Sequence, residues 1–300
     1  MMDDLSATLT TAELAGSLLP KRPDNSHKGT FGKALVIAGS RKYTGAASLT
    51  IQAALRSGTG LVYAAIPESI YVPLAAGIPE AIWFPLPENQ GAFSVDAGLH
   101  ISEILAGKDA VVIGPGLGQA EGTQAFLLTV LSHLRENAPD LPLVLDADAL
   151  NILSRQPDWP NLLPKQVILT PHEMEFSRLT GLLVSEIHSN RLQYAAAYAQ
   201  EWKQTLILKG ANTIVSNSLG DCRMLSFANS VLAHGGTGDV LAGLIVGLLA
   251  QGLEPFDAAL SVWLHARAAE LALEAVGHPA ATLPSDIIQQ LGKAMKITEL

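Results

Sequence analysis

Short, continuously apolar runs recur along the chain, each bounded by Gly, Pro or Asp: Ala34–Ala38, Leu61–Ala65, Ala81–Phe84, Ala110–Ile113, Leu143–Leu145 and Val167–Leu169. Runs of this length without polar alternation are what strands covered on both faces look like. Between several of them the apolar positions fall into helical spacing, over Ala46–Ser57, Gly122–Arg135 and Ser189–Lys203. The alternation predicts crossover units and a mainly parallel sheet between two helical layers. Three later runs, Leu206–Lys209, Thr213–Ser216 and Arg223–Phe227, are separated only by the turns Gly210-Ala211-Asn212 and Leu219-Gly220-Asp221. Such short connections predict an antiparallel meander at one edge of the sheet. Long helices are expected near Asp239–Gln251 and Asp257–Val276, and a last one after Pro284-Ser285. The opening segment, to about Ser26, is polar and carries Pro20 and Pro23, so it is expected to lie across the surface. With no internal repeat or linker, the reading is an N-terminal extension (1–26) followed by one α/β domain (27–300).

Composition narrows the functional classes. Hydrophobic residues make up 48% of the 300 and charged residues 16%, enough apolar material for a large core, which excludes global disorder. The net charge of −9 disfavours a general nucleic-acid binder, because such binding needs clustered Lys and Arg. A phosphate-bearing ligand would have to be held locally, by a helix end, a lysine or a metal ion. Cys222 is the single cysteine, which excludes an intrachain disulfide and a cysteine-rich zinc site and fits a reducing compartment. The acidic start MMDDLSATLT has no export-signal pattern. The longest apolar run, Val240–Ala250, falls short of the ~20 residues that span a bilayer. The expectation is a cytoplasmic protein without membrane or nucleic-acid partners.

The sharpest local signal is Gly235-Gly236-Thr237-Gly238-Asp239, running straight into an apolar helix. A glycine-rich turn lets backbone N–H groups converge, and the helix start adds unpaired donors and the positive end of its dipole, which together suit an anion. Asp239 there either caps the helix or takes a proton from an attacking hydroxyl. Gly243 and Gly247 are expected to be packing contacts. Lys209-Gly210-Ala211-Asn212-Thr213 closes one strand and opens the next. It reads as an ordinary hairpin turn or as a lysine meeting a nucleotide phosphate, and GxxxxGK[ST] is absent. Gly114-Pro115-Gly116-Leu117-Gly118 follows a strand without dinucleotide-fingerprint spacing. Asp146 and Asp148, after another strand, are paired carboxylates that orient a metal or a hydroxyl, or else cap the next helix. In Thr170-Pro171-His172-Glu173-Met174-Glu175, His172 is the histidine best set to contact a ligand, and Glu175 could hold Mg²⁺ through water. His27, His265 and His278 are expected to be structural or solvated. Tyr43-Thr44-Gly45-Ala46-Ala47 leaves room for a ligand at a helix start. Most of these segments follow strands, where open α/β sheets form their ligand crevice.

Taken in order, HKGTFGKALVIAGS (27–40), YTGAASL (43–49), GPGLG (114–118), LDADALN (145–151), LTPHEMEF (169–176), LKGANT (208–213) and GGTGDVLAG (235–243) resemble the ADP/ATP-dependent NAD(P)H-hydrate dehydratases of the ribokinase-like superfamily. The resemblance runs from about His27 to Gln289. It implies a three-layer α/β/α sandwich and the return of (6S)-NADHX or NADPHX to NADH or NADPH. The cosubstrate is implied to be ADP (or ATP) with Mg²⁺, the 6-hydroxyl being phosphorylated and phosphate then eliminated to leave AMP and phosphate. By motif, Asp239 matches the catalytic base. Lys209, Gly210, Ala211, Asn212 and Thr213, with Gly236, Thr237 and Gly238, match the adenine-nucleotide side, and Ala46, Gly116, Gly118, His172 and Asp239 match the hydrate side. The family usually has Pro-Gly where this chain has Glu173-Met174. Many bacterial members carry an N-terminal epimerase domain, for which there is no room before Ala34, so action on the S epimer alone is expected, with a separate epimerase as a possible companion. Family habit also implies a homo-oligomer, a tetramer. The rival enzyme reading is a kinase of the same superfamily acting on a thiazole or pyrimidine alcohol, and the rival non-enzyme reading is a nucleotide sensor or scaffold.

Overall fold

The computed structural model describes residues 6–299. Its strands are β1 (Ala7–Leu9), β2 (Lys33–Ile37), β3 (Leu61–Pro67), β4 (Ile82–Leu86), β5 (Glu88–Asn89), β6 (Ala92–Phe93), β7 (Ala110–Ile113), β8 (Leu143–Leu145), β9 (Val167–Leu169), β10 (Thr205–Leu208), β11 (Ile214–Ser216) and β12 (Cys222–Met224). Ten of them form one sheet in the order β1-β12-β11-β10-β9-β8-β7-β2-β3-β4, and β5 and β6 make a separate small ribbon. All neighbours in the large sheet run parallel except the pairs β10–β11 and β11–β12.

The continuous apolar runs mean what their pattern suggested: each central strand feeds two cores. Leu35, Ile37, Val111, Ile113 and Leu145 point into one layer, against the helices Glu121–Asn137 and Arg191–Trp202. Ala34, Val36, Val112, Val144 and Ile168 point into the other, against Thr44–Arg56 and Thr237–Ala250. The helix Thr237–Ala250 is apolar all round because both its sides are covered. The outer helices Ala259–Val276 and Pro284–Thr298 bury it from behind. Among the described residues no helix is long and apolar enough to cross a membrane. Gly243 and Gly247 lie where this helix crosses Thr44–Arg56. A Cβ at Gly243 would strike the Thr50 carbonyl, and one at Gly247 the Ser57 hydroxyl, so both glycines are packing contacts as expected.

Three expectations change. The opening segment does not merely cover the surface. Ala7–Leu9 adds a strand parallel to β12, and the helix Ala12–Leu18 buries Ala15 in the outer helical core. The meander is therefore real but not outermost. Its third strand is Cys222–Met224, because the apolar residues after it, Leu225 and Phe227, line a cavity instead of extending the sheet. The helix expected over Ser189–Lys203 is present as Arg191–Trp202, but it does not begin at Ser189, which instead ends a short unexpected helix, Val184–Ser189, separated from it by Asn190.

Candidate active site

The segments that follow β2, β7, β8, β9 and β10 stand side by side at one rim of the sheet, since those strands are neighbours and parallel. Chain order thus becomes spatial order. Of the hydrate-side candidates, Ala46 follows β2, Gly116 and Gly118 follow β7 and His172 follows β9; Asp146 follows β8, and Lys209–Thr213 of the nucleotide side follow β10, while Gly236–Asp239 come from the start of the helix Thr237–Ala250.

At the centre lies a buried ion pair. The Lys209 ammonium donates to the Asp146 carboxylate at 2.6 Å and stands 4.0 Å from Glu175. Asp146 is 1% exposed and also accepts the Thr170 hydroxyl at 2.7 Å. Burial opposes the lysine's charge, but the facing carboxylates Asp146 and Glu175 outweigh it and hold its pKa above the ordinary value. A charge this deep stands only because it is paired. The backbone supports the arrangement at a cost: Ala147 has φ 51° and ψ −117°, sparsely populated for a residue with a Cβ. That turn sends the two neighbouring carboxylates apart. Asp148 accepts the Gly118 amide at 2.8 Å and the Gln119 side chain at 3.0 Å. The pair Asp146/Asp148 therefore does not converge on a single ion, and neither side chain caps the following helix.

Asp239 is the third residue of its helix. The N-cap is Gly236, at φ 102°, and no side chain makes the capping bond, so the capping role for Asp239 is set aside. Among the described residues its carboxylate has no hydrogen-bond donor. Burial, with Asp146 and Asp148 nearby, raises its pKa to about 7 against the pull of Lys209. A carboxylate poised there accepts a proton near neutrality. The first-turn amides of Gly238 and Asp239 have no acceptor inside the helix. The Thr237 amide is already turned to the His234 carbonyl at 3.4 Å, so it is the weaker donor of the glycine-rich turn. The Lys209 ammonium lies 3.5 Å from where a Cβ of Gly238 would be, which brings the lysine, the turn and Asp239 together.

His172 is the N-cap of the helix Glu173–Thr180, in a capping box with Glu175. Its Nδ1 accepts the amides of Met174 at 3.1 Å and Glu175 at 3.2 Å, and Glu175 accepts the His172 amide at 2.9 Å. Burial, then Lys209, lowers the imidazole pKa. With Nδ1 accepting, the neutral ring carries its proton on Nε2, and half the side chain is exposed to offer it. Burial pushes Glu175 up to about 7, with Lys209 pulling the other way. Among the described residues no group of three His, Cys, Asp or Glu side chains is placed to hold a metal ion. Mg²⁺ can still be carried by nucleotide phosphates with one or two carboxylates and water; Glu175 is buried, its oxygens turned to the His172 amide, the His172 ring and Lys209. Ala46 and Gly116 touch: a Cβ at Gly116, at φ 63°, would sit 2.7 Å from the Ala46 methyl, so nothing larger fits this floor.

Next to Lys209 opens a cavity of about 590 Å³, lined by Thr213, Phe227, Gly238, Leu241 and His265 among others. Apolar walls with one ammonium at the mouth suit a flat base carrying phosphates. Here the sequence reading fell short. His265, expected to be structural or solvated, is a cavity wall, buried and held neutral, with its pKa lowered to about 4 by burial and by Lys209. Phe227 was read as strand. No local signal marks either, because the outer helix and the segment after β12 meet Lys209 only in the fold. Of the other two histidines, His27 and His278 cap short turns at the surface.

A mainly parallel sheet between helices, with a glycine-rich helix start and a lysine side by side in the wall of a nucleotide-sized cavity, defines the ribokinase-like class. A ribokinase-like superfamily protein from Enterococcus faecalis superposes at TM-score 0.82 and 27% identity, covering 97% of this chain and 96% of that one. The profile of the NAD(P)H-hydrate dehydratase family matches residues 34–293, and the chain belongs to that family. The ADP-dependent (S)-NAD(P)H-hydrate dehydratase of Bacillus subtilis is 37% identical over 268 residues, 87% of this chain and 88% of that one. A crystal structure of the Bacillus subtilis ADP/ATP-dependent NAD(P)H-hydrate dehydratase, co-crystallized with ATP/Mg²⁺, aligns at TM-score 0.80 and 34% identity over 98% of this chain and 100% of that one. The bifunctional NAD(P)H-hydrate repair enzyme of Moorella thermoacetica is 39% identical over 274 residues, 91% of this chain but 51% of that one; the chain spans about half the length of such curated relatives.

Proposed function

We propose that this chain catalyses ADP-dependent dehydration of (6S)-NADHX and NADPHX to NADH and NADPH, releasing AMP and phosphate. The observation that carries the reading is the meeting of Asp239, the glycine-rich helix start and Lys209 beside a nucleotide-sized cavity that Lys209, Thr237 and Gly238 line. Family membership and the printed names of the relatives support the substrate.

Hydroxide leaves poorly from the hydrated ring, and a phosphate ester leaves well. Asp239 takes the proton of the 6-hydroxyl while that oxygen attacks the terminal phosphorus of ADP and the bond to AMP breaks. The amides of Gly238 and Asp239 and the Lys209 ammonium face the charge that builds up on the transferring group. Lys209 through Thr213 hold the nucleotide. His172, a donor through Nε2, binds and orients the hydrate over the floor made by Ala46, Gly116 and Gly118. The ring nitrogen's lone pair then expels phosphate, the neighbouring carbon gives up a proton, and the dihydropyridine is restored. Mg²⁺ supplies charge neutralisation on the phosphates when bound, and Glu175 is the residue that would hold it, through water. Interconversion of the R and S epimers belongs to a separate epimerase activity in this reading, the chain works in the cytoplasm, and its assembly is a homo-oligomer, a tetramer.

The deciding experiment supplies prepared S-hydrate, Mg²⁺ and either ADP or ATP, and follows NADH absorbance together with free phosphate. Equal yields of NADH and phosphate are expected, faster with ADP. Accumulation of a stable phosphorylated alcohol with no NADH would instead identify a small-molecule kinase.

A further inference from the structure

We propose that Arg191, held by Glu173, is a positioning residue for the nucleotide-binding turn Lys209–Thr213, an inference that rests on the nucleotide reading of that turn.

Arg191 opens the helix Arg191–Trp202, and its side chain is only 14% exposed. One arm of the guanidinium pairs with the Glu173 carboxylate, and the other donates to the Leu208 carbonyl at 3.1 Å. Leu208 is the last residue of β10, so this bond fixes the backbone immediately before Lys209. The turn itself then rests on the same group. A Cβ at Gly210 would stand 2.5 Å from an arm nitrogen, which leaves the backbone of Gly210, at φ 147°, seated directly on the guanidinium. The far end of the brace is as informative. Glu173 is the first helical residue after His172, and the Lys209 amide already donates to the Pro171 carbonyl at 2.9 Å. The planar fork therefore joins the end of β10, the turn beyond it and the loop that carries His172. Glu173 stands at the first of the two positions where the family usually has Pro-Gly, so the carboxylate end of this brace belongs to the part of the loop in which this chain departs from the common pattern.

The arrangement has a cost that stability does not explain. The Nε–H of Arg191 is buried without an acceptor. An unpaired buried donor typically costs ~1–3 kcal/mol, and a native one calls for a reason. A lysine would pair with Glu173 and leave no such orphan, but a point charge cannot span Glu173 and the Leu208 carbonyl in a fixed plane. The geometry of the fork is what the site keeps. Neither Arg191 nor Glu173 has to touch a ligand for this role.

The test uses the whole chain and compares wild type with Arg191→Met, Arg191→Lys, Glu173→Gln and the double variant Glu173→Gln/Arg191→Met. ADP binding is measured by calorimetry without hydrate, and kcat and both KM values are measured in turnover. Arg191→Met leaves the half-buried Glu173 carboxylate with only the exposed His188 imidazole, at 3.3 Å, as a partner, a change that can itself impair folding, whereas the double variant removes both charges and keeps the question answerable. Expected is a rise of roughly 10-fold or more in Kd and KM for ADP, since misplacing binding groups by about 1 Å can cost ~100-fold. KM for hydrate should stay within about 3-fold, because His172 is held by its own capping box with Glu175, which does not pass through Arg191; Arg191→Lys should fail to rescue, and the double variant should be no worse than the worse single one. Unchanged ADP affinity in the folded variants, a parallel rise in both KM values, or full rescue by lysine would overturn the proposal. If wild type binds ADP but never converts hydrate to NADH, the dehydratase reading fails while this one is still decided by the calorimetry. Wild type that binds no nucleotide sinks both.

Discussion

Asp239 shows how much one carboxylate's surroundings decide. Asp239→Asn keeps the shape, the glycine turn and Lys209, so nucleotide affinity by calorimetry should persist while dehydration falls ~10²–10⁴-fold, the usual weight of a general base. Its raised pKa sets a pH signature as well. The base must be ionised, so kcat/KM for hydrate should rise with pH through an apparent pKa near 7 and lose that limb in Asp239→Asn. Stability should move the other way. Between about 4 and 7 the unfolded chain has lost the Asp239 proton and the folded chain still holds it, so folding weakens as pH climbs through that window. Asp239→Asn should therefore stabilise the protein above pH 7, by roughly 1–3 kcal/mol, and hardly at all at pH 4, as read by urea unfolding. Lys209→Ala should do two things at once. It should weaken nucleotide binding more than hydrate binding, and it should lower the melting temperature, because Asp146 and Glu175 would stay buried without their counter-charge. Asp239 drew attention in the sequence because it closes a glycine-rich turn, whereas the turn of Lys209 reads by itself as an ordinary hairpin and stood out only through the family resemblance. Their connection through Asp146 was not legible, because Asp146 and Lys209 end strands that only the sheet brings together.

The helix Thr237–Ala250 carries the active-site end and the core end of one argument. Its start lines the cavity beside Lys209, and the rest packs against Thr44–Arg56 so closely that Gly243 has no room for a side chain. Gly243→Ala should cost about 1–3 kcal/mol as a shift in urea midpoint with an unchanged slope, because the added methyl meets a backbone carbonyl that cannot swing aside. Elements with a clear apolar pattern, continuous in the strands and periodic in the longer helices, were the legible ones. Ala110–Ile113, Leu143–Leu145 and Val167–Leu169 match the observed strands to the residue, and the other central strands differ at their ends by one or two positions. The helix Glu173–Thr180 was invisible because eight residues hold too few turns for a periodic pattern and capping by His172 is not a common signal, and the six-residue helix Asp148–Leu153 was foreshadowed only as something the two carboxylates before it could cap. The third strand of the meander was placed too far along because Leu225 and Phe227 are apolar for the sake of the cavity, a purpose that hydropathy alone cannot tell from a sheet.

At the level of the whole molecule, fold class followed from the alternation of buried strands and helices, and the position of the site followed from the rule that ligands gather beyond strand ends. The role of the first residues did not follow. A strand of three residues containing Thr8 gives no alternation to read, and it exists only because β12 offers it an edge. Removing residues 1–19 should expose that edge and uncover the outer helical core where Ala15 sits. A lower melting temperature and concentration-dependent association, seen by light scattering, are the expected outcome. The same pairing has a consequence for how the protein is made. Ala7 aligns with Cys222, and Gly16 lies against the Thr298 carbonyl at the far end of the chain. Residues 7–16 leave a ribosome well before either partner, so during synthesis they travel unplaced, and this edge of the sheet closes only once β12 has emerged.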